Sequence, residues 1–401
     1  MNAVTAPTPY LEGFRVLDFT QYLAGPSCTR LLAEMGADVI KVEMAPLGDP
    51  IRANSPRRNR RSGYFVQQNR GKRSICIDFK SPESVQIVKD LIPHIDVVVE
   101  NYSAGVMARR GLGYDVLSAI NPRLIMARVS GFGQDGPYRD RRSYGRIAEA
   151  FGGFAHITGE PDGPPSHSHM SIGDTIGGAW AAMGVMMALY WRDAQGGGVG
   201  QVVDLGLYEG LFRQIEQQIV ILDQLGMTLG RSGSNHRNVP YTGLFETRDG
   251  GYFSFSGVTV KSTTDILRAM GMANDARYNT FAECVKHRDA FAQAVTDWMA
   301  ARTLAEVDAA FKACDAPGTP VMSAADLIDD PHVLAREMVI RMQDPELGPL
   351  RMQGVVPKLT RSPGEVRHAG QPLGASNEDV YRGLLGMSDA ELAALREKKV
   401  I

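Results

Sequence analysis

Residues 14–43, FRVLDFTQYLAGPSCTRLLAEMGADVIKVE, contain two short β-type runs, 14–19 and 38–42, on either side of a helical run. The helical run covers residues 28–35; it follows a Gly-Pro turn and is ended by Gly36. A glycine at the end of a helix, with branched residues in the flanking runs, is typical of a strand–helix–strand unit. The segment therefore predicts a βαβ unit with two parallel strands.

The same alternation continues through the first half of the chain. Ser81 and Pro82 open a helix that runs to Leu91, because serine caps helices and proline is tolerated at the first helical position. A longer run of small and apolar residues predicts a helix over 175–191. Further β-type runs lie at 74–79, 96–100, 124–129 and 201–205. Strands separated by single helices predict an α/β fold, an open Rossmann-like sheet with helices on both faces.

The second half of the chain has a different pattern. Residues 244–247 and 252–255 flank Asp-Gly-Gly and predict a hairpin, whereas apolar spacing predicts mostly helices over 263–340. Proline and glycine predict an extended connection over 345–375, and a last helix is predicted over 389–398. We therefore expect a large Rossmann-like domain and a smaller α+β domain. The predicted boundaries are 1–210 for the large domain, completed by 376–401, with a linker at 211–239, the small domain at 240–340 and a returning linker at 341–375.

The composition is that of an ordinary globular protein and argues against several classes of function. The 401 residues include 43 basic and 45 acidic side chains, so the net charge of -2 leaves no basic excess for a nucleic acid. Four cysteines without a CxxC pair suit a reducing cytoplasm better than a disulfide framework. Residues 1–4 do not resemble the start of a signal peptide, and 175–191 is too short and glycine-rich for a membrane span. We expect a cytoplasmic protein outside the membrane.

Glycine-rich segments and basic clusters are candidate ligand-binding features. Residues 131–136, GFGQDG, match G-x-G-x-x-G after a predicted strand, but a charged loop follows where a dinucleotide site needs a helix. The glycines of 196–200 precede a strand and fail the same test. Basic clusters at 57–61, 70–73 and 141–142 fit a phosphorylated small ligand better than a polymer. Each cluster alone fits solvated surface charge equally well.

Asp174 stands at the start of the predicted helix 175–191, and two interpretations of it stay open. It can be simply the residue that caps the helix. It can also be a covalent nucleophile toward an activated acyl group, kept ionised by the helix N-terminus, with backbone N–H groups nearby for an oxyanion. The eight histidines form no metal-binding pair, and no G-x-S-x-G motif is present, so neither a metal site nor a Ser/His/Asp triad is predicted.

A series of ordered motifs runs through nearly the whole chain. They are LDF at 17–19, AGP at 24–26, LLAEMGADVIKVE at 31–43, NRGKRS at 69–74, ENY at 100–102, SGFGQDGP at 130–137, TGEPDGPP at 158–165, GD at 173–174 and DPH at 330–332. Together they resemble the family III CoA-transferases (the CaiB/BaiF family), the relatives of carnitine, bile-acid and formyl-CoA transferases.

The resemblance implies a transfer of CoA through Asp174. The carboxylate attacks an acyl-CoA thioester to give a mixed anhydride, the CoA thiolate then forms an aspartyl-CoA thioester, and the acceptor carboxylate finally receives the CoA. It implies acyl-CoA as a substrate, with no permanently bound cofactor, and an interlocked-ring homodimer whose site lies between the large domain of one chain and the small domain of the other. The implied CoA-site residues are Gln21, Tyr22, Leu23, Ala24, Lys72, Asn101, Tyr102, Arg109 and Arg142, with Tyr144 near the acyl group.

Two departures from the family pattern bear on the reaction. The α-methylacyl-CoA racemases of this family use a histidine in the segment equivalent to 138–155, which contains none here, so CoA transfer is favoured over epimerisation. Only Ser256-Gly257-Val258 stands where formyl-CoA transferases place a glycine-rich loop, so oxalate is not a favoured substrate. A non-catalytic acyl-CoA-binding protein, with Asp174 as a cap, is the third alternative. The motifs identify neither the donor nor the acceptor acid.

Overall fold

A computed structural model describes residues 8–234, 239 and 241–401. The predictions for residues 1–4, part of the predicted linker 211–239 and the first residue of the predicted small domain lie outside these residues. The chain divides into two compact units. The first contains the described residues up to Phe154, together with His167–Gln224 and Leu334–Ile401; the second contains Ala155–Ser166 and the described residues of Leu225–Val333.

The described residues up to 225 form eight strands and ten α-helices, with short 3₁₀ turns at Pro50–Ala53 and Ile92–His94. The strands are β1 (Arg15–Asp18), β2 (Asp38–Glu43), β3 (Arg57–Arg58), β4 (Arg61–Ser62), β5 (Lys72–Cys76), β6 (Val97–Glu100), β7 (Ile125–Ser130) and β8 (Val202–Gly206). The helices are α1 (Ala24–Glu34), α2 (Gly63–Gln68), α3 (Pro82–Leu91), α4 (Val106–Arg109), α5 (Tyr114–Ile120), α6 (Gly145–Phe151), α7 (Phe154–Ile157), α8 (Ile172–Asp193), α9 (Leu207–Phe212) and α10 (Gln218–Leu225).

Six of these strands form one parallel sheet in the order β5-β2-β1-β6-β7-β8. The chain moves outward from β1 in one direction through β2 and β5, and in the other direction through β6, β7 and β8. The order therefore reverses between β1 and β6. In open α/β sheets the crevice at the carboxyl ends of such neighbouring strands is where ligands bind.

Alternate residues of each strand supply the cores on the two faces of the sheet. Val16 of β1 belongs to one apolar cluster and Leu17 to the other, because successive side chains of a strand point to opposite faces. The cluster of Val16 includes residues of α1 and α8. The cluster of Leu17 includes residues of α3 and of the C-terminal helices, such as Tyr381 and Leu392. Burial on both faces explains why these strands are rich in Val and Ile.

Helix α8 is the central helix of the first face. A Cβ atom at Gly178 would lie 2.6 Å from the Cβ of Ser27, so this glycine allows α8 to approach α1 closely. By length and composition alone α8 could cross a membrane. Its packing against α1 and the sheet, with Ala181 and Val185 in the shared cluster, is instead that of a core helix.

The second unit contains a small antiparallel sheet and a group of helices. Its strands, in the order β11-β10-β9, are β9 (Thr242–Glu246), β10 (Tyr252–Ser256) and β11 (Gly318–Pro320). The helices of this part of the chain are α11 (Val260–Ala269), α12 (Phe281–Lys286), α13 (Arg288–Ala300), α14 (Leu304–Ala313), α15 (Ala324–Leu327) and α16 (Pro331–Ala335). Phenylalanines 253, 255, 291 and 311 lie in its apolar core.

The C-terminal part of the chain returns to the first unit. It contains the antiparallel pair β12 (Val339–Asp344) and β13 (Gly348–Gln353), followed by α17 (Asn377–Leu385) and α18 (Asp389–Glu397). Strand β13 lies inside the segment 345–375 that the sequence predicts to be an extended connection, so that prediction is wrong for residues 348–353. Helix α17 was not predicted, whereas α18 agrees with the predicted last helix.

The α/β prediction is confirmed, with shifts at particular positions. The predicted hairpin and the helix 82–91 are present. Helix α1 begins at Ala24 and not at residue 28, and β5 ends at Cys76 where a strand to residue 79 was predicted. The two compact units also differ from the predicted domains, because residues 155–166 belong to the second unit and residues 334–375 to the first. All four cysteines are free.

Candidate active site

A cavity of about 820 Å³ lies within the first unit at the carboxyl ends of β1, β6 and β7, where the strand order reverses. Four stretches of chain supply most of its wall: the β1–α1 turn, the loop after β6, the end of β7 and residues 139–146. Ser171 and Asp174, from the start of α8, also line it, as do Ile51, Asn54, Tyr64 and Leu207. Eight of the ten predicted CoA-site residues line this cavity: Gln21, Tyr22, Leu23, Ala24, Asn101, Tyr102, Arg142 and Tyr144.

Asp174 is the third residue of α8, and the N-cap of that helix is Ser171. The interpretation of Asp174 as a cap is therefore wrong. Its carboxylate accepts hydrogen bonds from the backbone N–H of Gly145 and from the Ser171 side chain. A Cβ atom at Gly145 would lie 2.3 Å from Asp174 Oδ2, so a larger residue at 145 would displace the carboxylate. Only glycine fits this contact.

The surroundings of Asp174 shift its pKa upward. Burial, and secondly the nearby carboxylate of Glu149, raise the pKa of Asp174 from 3.8 to about 6. The hydrogen bonds from Gly145 and Ser171 oppose this rise without cancelling it. The carboxylate is nevertheless largely ionised above pH 6, so Asp174 is an anion at neutral pH.

Tyr64 of α2 is a site residue that the sequence did not reveal. It lines the cavity, and burial and then the Asp174 carboxylate raise the pKa of its phenol. Ser130, at the end of β7, also lines the cavity, and among the described residues its buried hydroxyl has no hydrogen-bond partner. Tyr64 stands in no motif, and Ser130 opens the SGFGQDGP motif, which by itself does not mark Ser130 as a site residue. The fold brings both residues to the cavity that Asp174 lines.

A buried polar network, formed by Asp18, Lys41, Asp49, Lys72 and Asn101, holds the β1–α1 turn. Asn101 makes two hydrogen bonds of 2.8 Å with the backbone N–H and carbonyl of Gln21. Asp49 accepts a hydrogen bond of 3.1 Å from the backbone N–H of Tyr22, which has a left-handed φ of 62°. Such a backbone is unfavourable for a tyrosine and needs support from its neighbours.

Lys41 and Lys72 are the cations of this network. Lys41 Nζ lies 2.9 Å from Asp49 Oδ2 and donates a hydrogen bond of 2.7 Å to the carbonyl of Thr20. Lys72 Nζ lies 3.1 Å from Asp18 Oδ2. Burial favours the neutral form of Asp18, but the charges of Lys72 and Lys41 outweigh it and lower the Asp18 pKa. Burial lowers the Lys72 pKa to about 8, against the pull of Asp18.

Two predicted CoA-site residues lie outside the cavity. Lys72 is 1% exposed, and its ammonium group is occupied by Asp18, the carbonyl of Pro26 and Asn69 Oδ1. Arg109 is exposed at the end of α4 and does not line the cavity. In this structure, Lys72 therefore supports the turn from behind instead of facing a ligand.

The basic clusters of the sequence also contain both arginines that pair within the fold and arginines that line the cavity. Arg61 is paired with Asp344, Arg70 with Glu34 and Arg73 with Asp38, so these members of the first two clusters are structural. Arg57, Arg58 and Arg60 of the first cluster are exposed and do not line the cavity. The third belongs to the arginine segment, residues 139–146. Four exposed arginines of this segment line the cavity: Arg139, Arg141, Arg142 and Arg146.

The arginine segment leaves most of its cations available to a ligand. Arg141 lies 4.7 Å from the ring centroid of Tyr138 and 5.3 Å from that of Phe132. Arg139 is 3.5 Å from its exposed neighbour Asp140. Within the described part of the chain, Arg141, Arg142 and Arg146 have no carboxylate partner. Unpaired guanidinium groups around a cavity are suited to bind phosphates and carboxylates.

The remaining sequence features do not add a second kind of site. The G-x-G-x-x-G stretch is a loop after β7, and no helix begins until Gly145. The described residues contain no group of three or more His, Cys, Asp or Glu side chains that could hold a metal ion. The first unit is thus a parallel α/β unit with an arginine-lined cavity and a carboxylate near the start of a long helix.

Comparisons with known proteins identify this arrangement. The sequence profile of CoA-transferase family III matches residues 11–377. The succinyl-CoA–D-citramalate CoA-transferase of Chloroflexus aurantiacus is 39% identical over 405 residues, and the succinyl-CoA–L-malate CoA-transferase beta subunit of the same organism is 37% identical; both alignments cover 100% of each chain. A crystal structure of a CaiB/BaiF family protein from Brucella suis aligns with a TM-score of 0.84 and 29% identity, over 94% of this chain and 100% of that one.

The chain therefore belongs to CoA-transferase family III, and it is an enzyme of the CoA-transferase class. CoA-transferases use acyl-CoA as a substrate, and the named relatives act on CoA thioesters and carboxylate acceptors. The family resemblance inferred from the motifs is confirmed.

Proposed function

We propose that this enzyme transfers CoA from an acyl-CoA donor to a carboxylic acid through covalent intermediates on Asp174. The observation that carries the proposal is the placement of the Asp174 carboxylate. It borders an arginine-lined cavity at the strand reversal and accepts a hydrogen bond from a backbone amide. A carboxylate in such a site can attack an activated acyl group without a general base, because it is ionised above its pKa of about 6.

The proposed reaction needs four exchanges, and each conserves charge. An Asp174 oxygen bonds to the thioester carbonyl carbon, the C–S bond breaks, and CoA leaves as a thiolate. The thiolate attacks the aspartyl carbonyl of the mixed anhydride and releases the donor acid as a carboxylate. The acceptor carboxylate then attacks the aspartyl-CoA thioester, forming a new anhydride and thiolate. Attack of the thiolate on the new acyl carbon regenerates the Asp174 carboxylate and yields the product thioester.

The residues around Asp174 are suited to these steps. Each attack on the aspartyl carbonyl passes through an oxyanion, and the Gly145 N–H that already contacts the carboxylate can donate a hydrogen bond to it. We propose that Arg142 binds the CoA phosphates. The β1–α1 turn then forms part of the wall around CoA. Tyr144, which is 68% exposed and lines the cavity, is placed near the acyl group.

We further propose that donor and acceptor are dicarboxylic acids or their half-thioesters. A dicarboxylate keeps one free carboxylate while the other reacts, and this charge needs a cation in the cavity. Arg146 can supply this cation, because it lines the cavity and directly follows Gly145, which contacts Asp174. Arg146 has no carboxylate partner in the described part of the chain. The two Chloroflexus relatives, named for succinyl-CoA with citramalate or malate, support this substrate class.

Trapping of the covalent intermediate tests the proposed function. Incubation with succinyl-CoA and hydroxylamine should convert Asp174 to a hydroxamate, identified by peptide mass spectrometry, and malate or citramalate should accept CoA. Asp174→Ala should lower transfer by about 10⁴-fold or more, as expected for loss of a nucleophile. Asp289→Ala, which removes an exposed aspartate of α13 that does not line the cavity, is the matched control. Transfer that persists in Asp174→Ala, or deuterium uptake at the α-carbon without transfer, would contradict the proposal.

We propose in addition that the enzyme is a homodimer, of the interlocked-ring kind that the family resemblance implies. Helix α10 contains no buried residue, and its Val220 is 64% exposed. Helix α8 likewise exposes Met187, Tyr190 and Trp191. Exposed apolar side chains that are grouped on a helix face are typical of surfaces covered by a partner. Light scattering after gel filtration should give a mass of two chains, and Val220→Asp should reduce it, whereas a monomeric wild type would refute the assignment.

A further inference from the structure

Glu149 lies directly behind the proposed nucleophile. It follows Gly145 by four residues on α6, so the two share one face of that helix. Gly145 contacts Asp174 on this face, and Asp174 senses the charge of Glu149. The Glu149 side chain is 0% exposed, and it does not line the cavity. It can therefore act on Asp174 without touching a substrate.

The hydrogen bonding of Glu149 is incomplete. Its Oε2 atom lies 3.1 Å from Nδ1 of His167, which belongs to the loop before α8. Its Oε1 atom is buried and has no hydrogen-bond partner among the described residues. A buried carboxylate with a free oxygen is costly, and a glutamine or leucine would fill the same space without a charge. Stability of the fold alone does not explain a glutamate here.

The charged and titratable groups around this position come from three elements. Asp174 approaches from α8, and His167 from the preceding loop. Tyr64 of α2 faces Asp174 from the cavity side. Of these, only His167 can carry a positive charge, and it contacts Glu149 instead of Asp174. Asp174 therefore experiences a like charge that is only partly balanced.

We infer that Glu149, held by His167, is a positioning residue that favours acylation of Asp174 through charge repulsion. The two carboxylates repel each other as long as Asp174 is ionised. When an Asp174 oxygen bonds to the acyl carbon, the negative charge leaves on the CoA thiolate and the repulsion ends. The inference rests on the proposed role of Asp174 as nucleophile.

The basicity of Asp174 agrees with this role. Burial and Glu149 together raise its pKa to about 6, and a more basic oxygen of the same type is a better nucleophile. The carboxylate is still mostly ionised at neutral pH, so the higher pKa removes little of the reactive carboxylate form.

The test compares acylation rates over a range of pH in the full-length enzyme. Succinyl-CoA is mixed with wild type, Glu149→Gln, Glu149→Leu, Glu149→Asp and, as a control, Glu209→Gln on α9. The succinyl adduct on Asp174 is measured by quenched-flow mass spectrometry, and circular dichroism verifies folding. Wild type should lose acylation below a midpoint near pH 6. The Gln and Leu variants should move this midpoint about 0.5–1 pH unit lower and acylate roughly two- to fivefold more slowly on the plateau.

The variants that keep the charge separate this effect from a packing defect. Glu149→Asp should retain a midpoint within about 0.3 pH unit of the wild type, and Glu209→Gln should do the same. If both uncharged variants fold and show the wild-type midpoint and plateau, the role of Glu149 is refuted while Asp174 stays the nucleophile. If wild type itself forms no adduct, the proposed function fails instead.

Discussion

Two sets of basic residues in the first unit differ in burial and in pairing. Lys41 and Lys72 lie behind the β1–α1 turn, are 1% exposed and pair with Asp49 and Asp18. The arginine segment faces the cavity and is exposed and mostly unpaired. A buried charge needs an oppositely charged partner, because a lone buried ion is very unfavourable. Removing one partner of such a pair therefore destabilises the fold. Exposure keeps an unpaired cation stable without a partner and available to an anionic ligand.

The largest effect should follow from breaking the buried network. Asp18→Ala leaves Lys72 without its counterion, and we expect it to reduce the free energy of unfolding by about 3–5 kcal/mol. Arg142→Ala, on the exposed side, should change it by less than about 0.5 kcal/mol. Urea denaturation followed by circular dichroism measures both. Equal losses in the two variants would show that the division into structural and ligand-facing cations is wrong.

A smaller but still large effect is expected where the arginine segment meets Asp174. Gly145→Ala places a Cβ atom 2.3 Å from Oδ2 of Asp174, which is too close, so the carboxylate must move. We expect acylation by succinyl-CoA to fall about 100-fold, because a displacement of about 1 Å has effects of this size. Gly383→Ala on α17, where an added Cβ atom has nothing within 4 Å and which does not line the cavity, should leave the rate within about threefold of the wild type. Adduct formation at the wild-type rate in Gly145→Ala would contradict the contact.

A moderate effect is expected from the unpaired arginines. Arg146→Gln should raise the KM for a dicarboxylic acceptor by about tenfold, because it removes a charge-assisted hydrogen bond. The unfolding midpoint should not change, unlike that of Asp18→Ala. A monocarboxylic acceptor such as butyrate provides the internal comparison, since its KM should not depend on Arg146. The same increase for both acids would assign Arg146 to CoA instead of the acceptor.

The smallest effect is expected in the pH dependence of the free energy of unfolding, to which Asp174 contributes. Its pKa is higher in the folded protein, about 6, than the ordinary 3.8. The protonated form therefore stabilises the fold fully below pH 3.8, and this contribution is lost as the pH rises through 6. Asp174→Asn, neutral at every pH, should be about 1 kcal/mol more stable than wild type near pH 8 and equal to it near pH 3.5. Asp140→Asn should show no such pH-dependent gain in denaturant titrations.

Much of the fold was predictable from the sequence because it depends on local patterns. The spacing of branched and apolar residues in 14–43 identified the first βαβ unit, and Ser81-Pro82 marked the start of α3. Strand β13 and helix α17 were missed, since proline and glycine around them suggested an irregular connection. Strand β13 forms through pairing with β12, and α17 forms through packing of Tyr381 in the apolar cluster of Leu17. A local sequence pattern reveals neither contact.

The motifs of the sequence by themselves determined the family and pointed to Asp174, because those signals are carried by consecutive residues. Only the tertiary structure distinguished the partners of each charge. It placed Lys72 behind the turn, although the motifs assigned this residue to the CoA site, and it placed Glu149 near Asp174, although no motif assigned Glu149 a role. The physical reason is that burial and the nearest opposite charge decide whether an ionised group supports the fold, binds a ligand or tunes a nucleophile, and both depend on residues far apart in the chain.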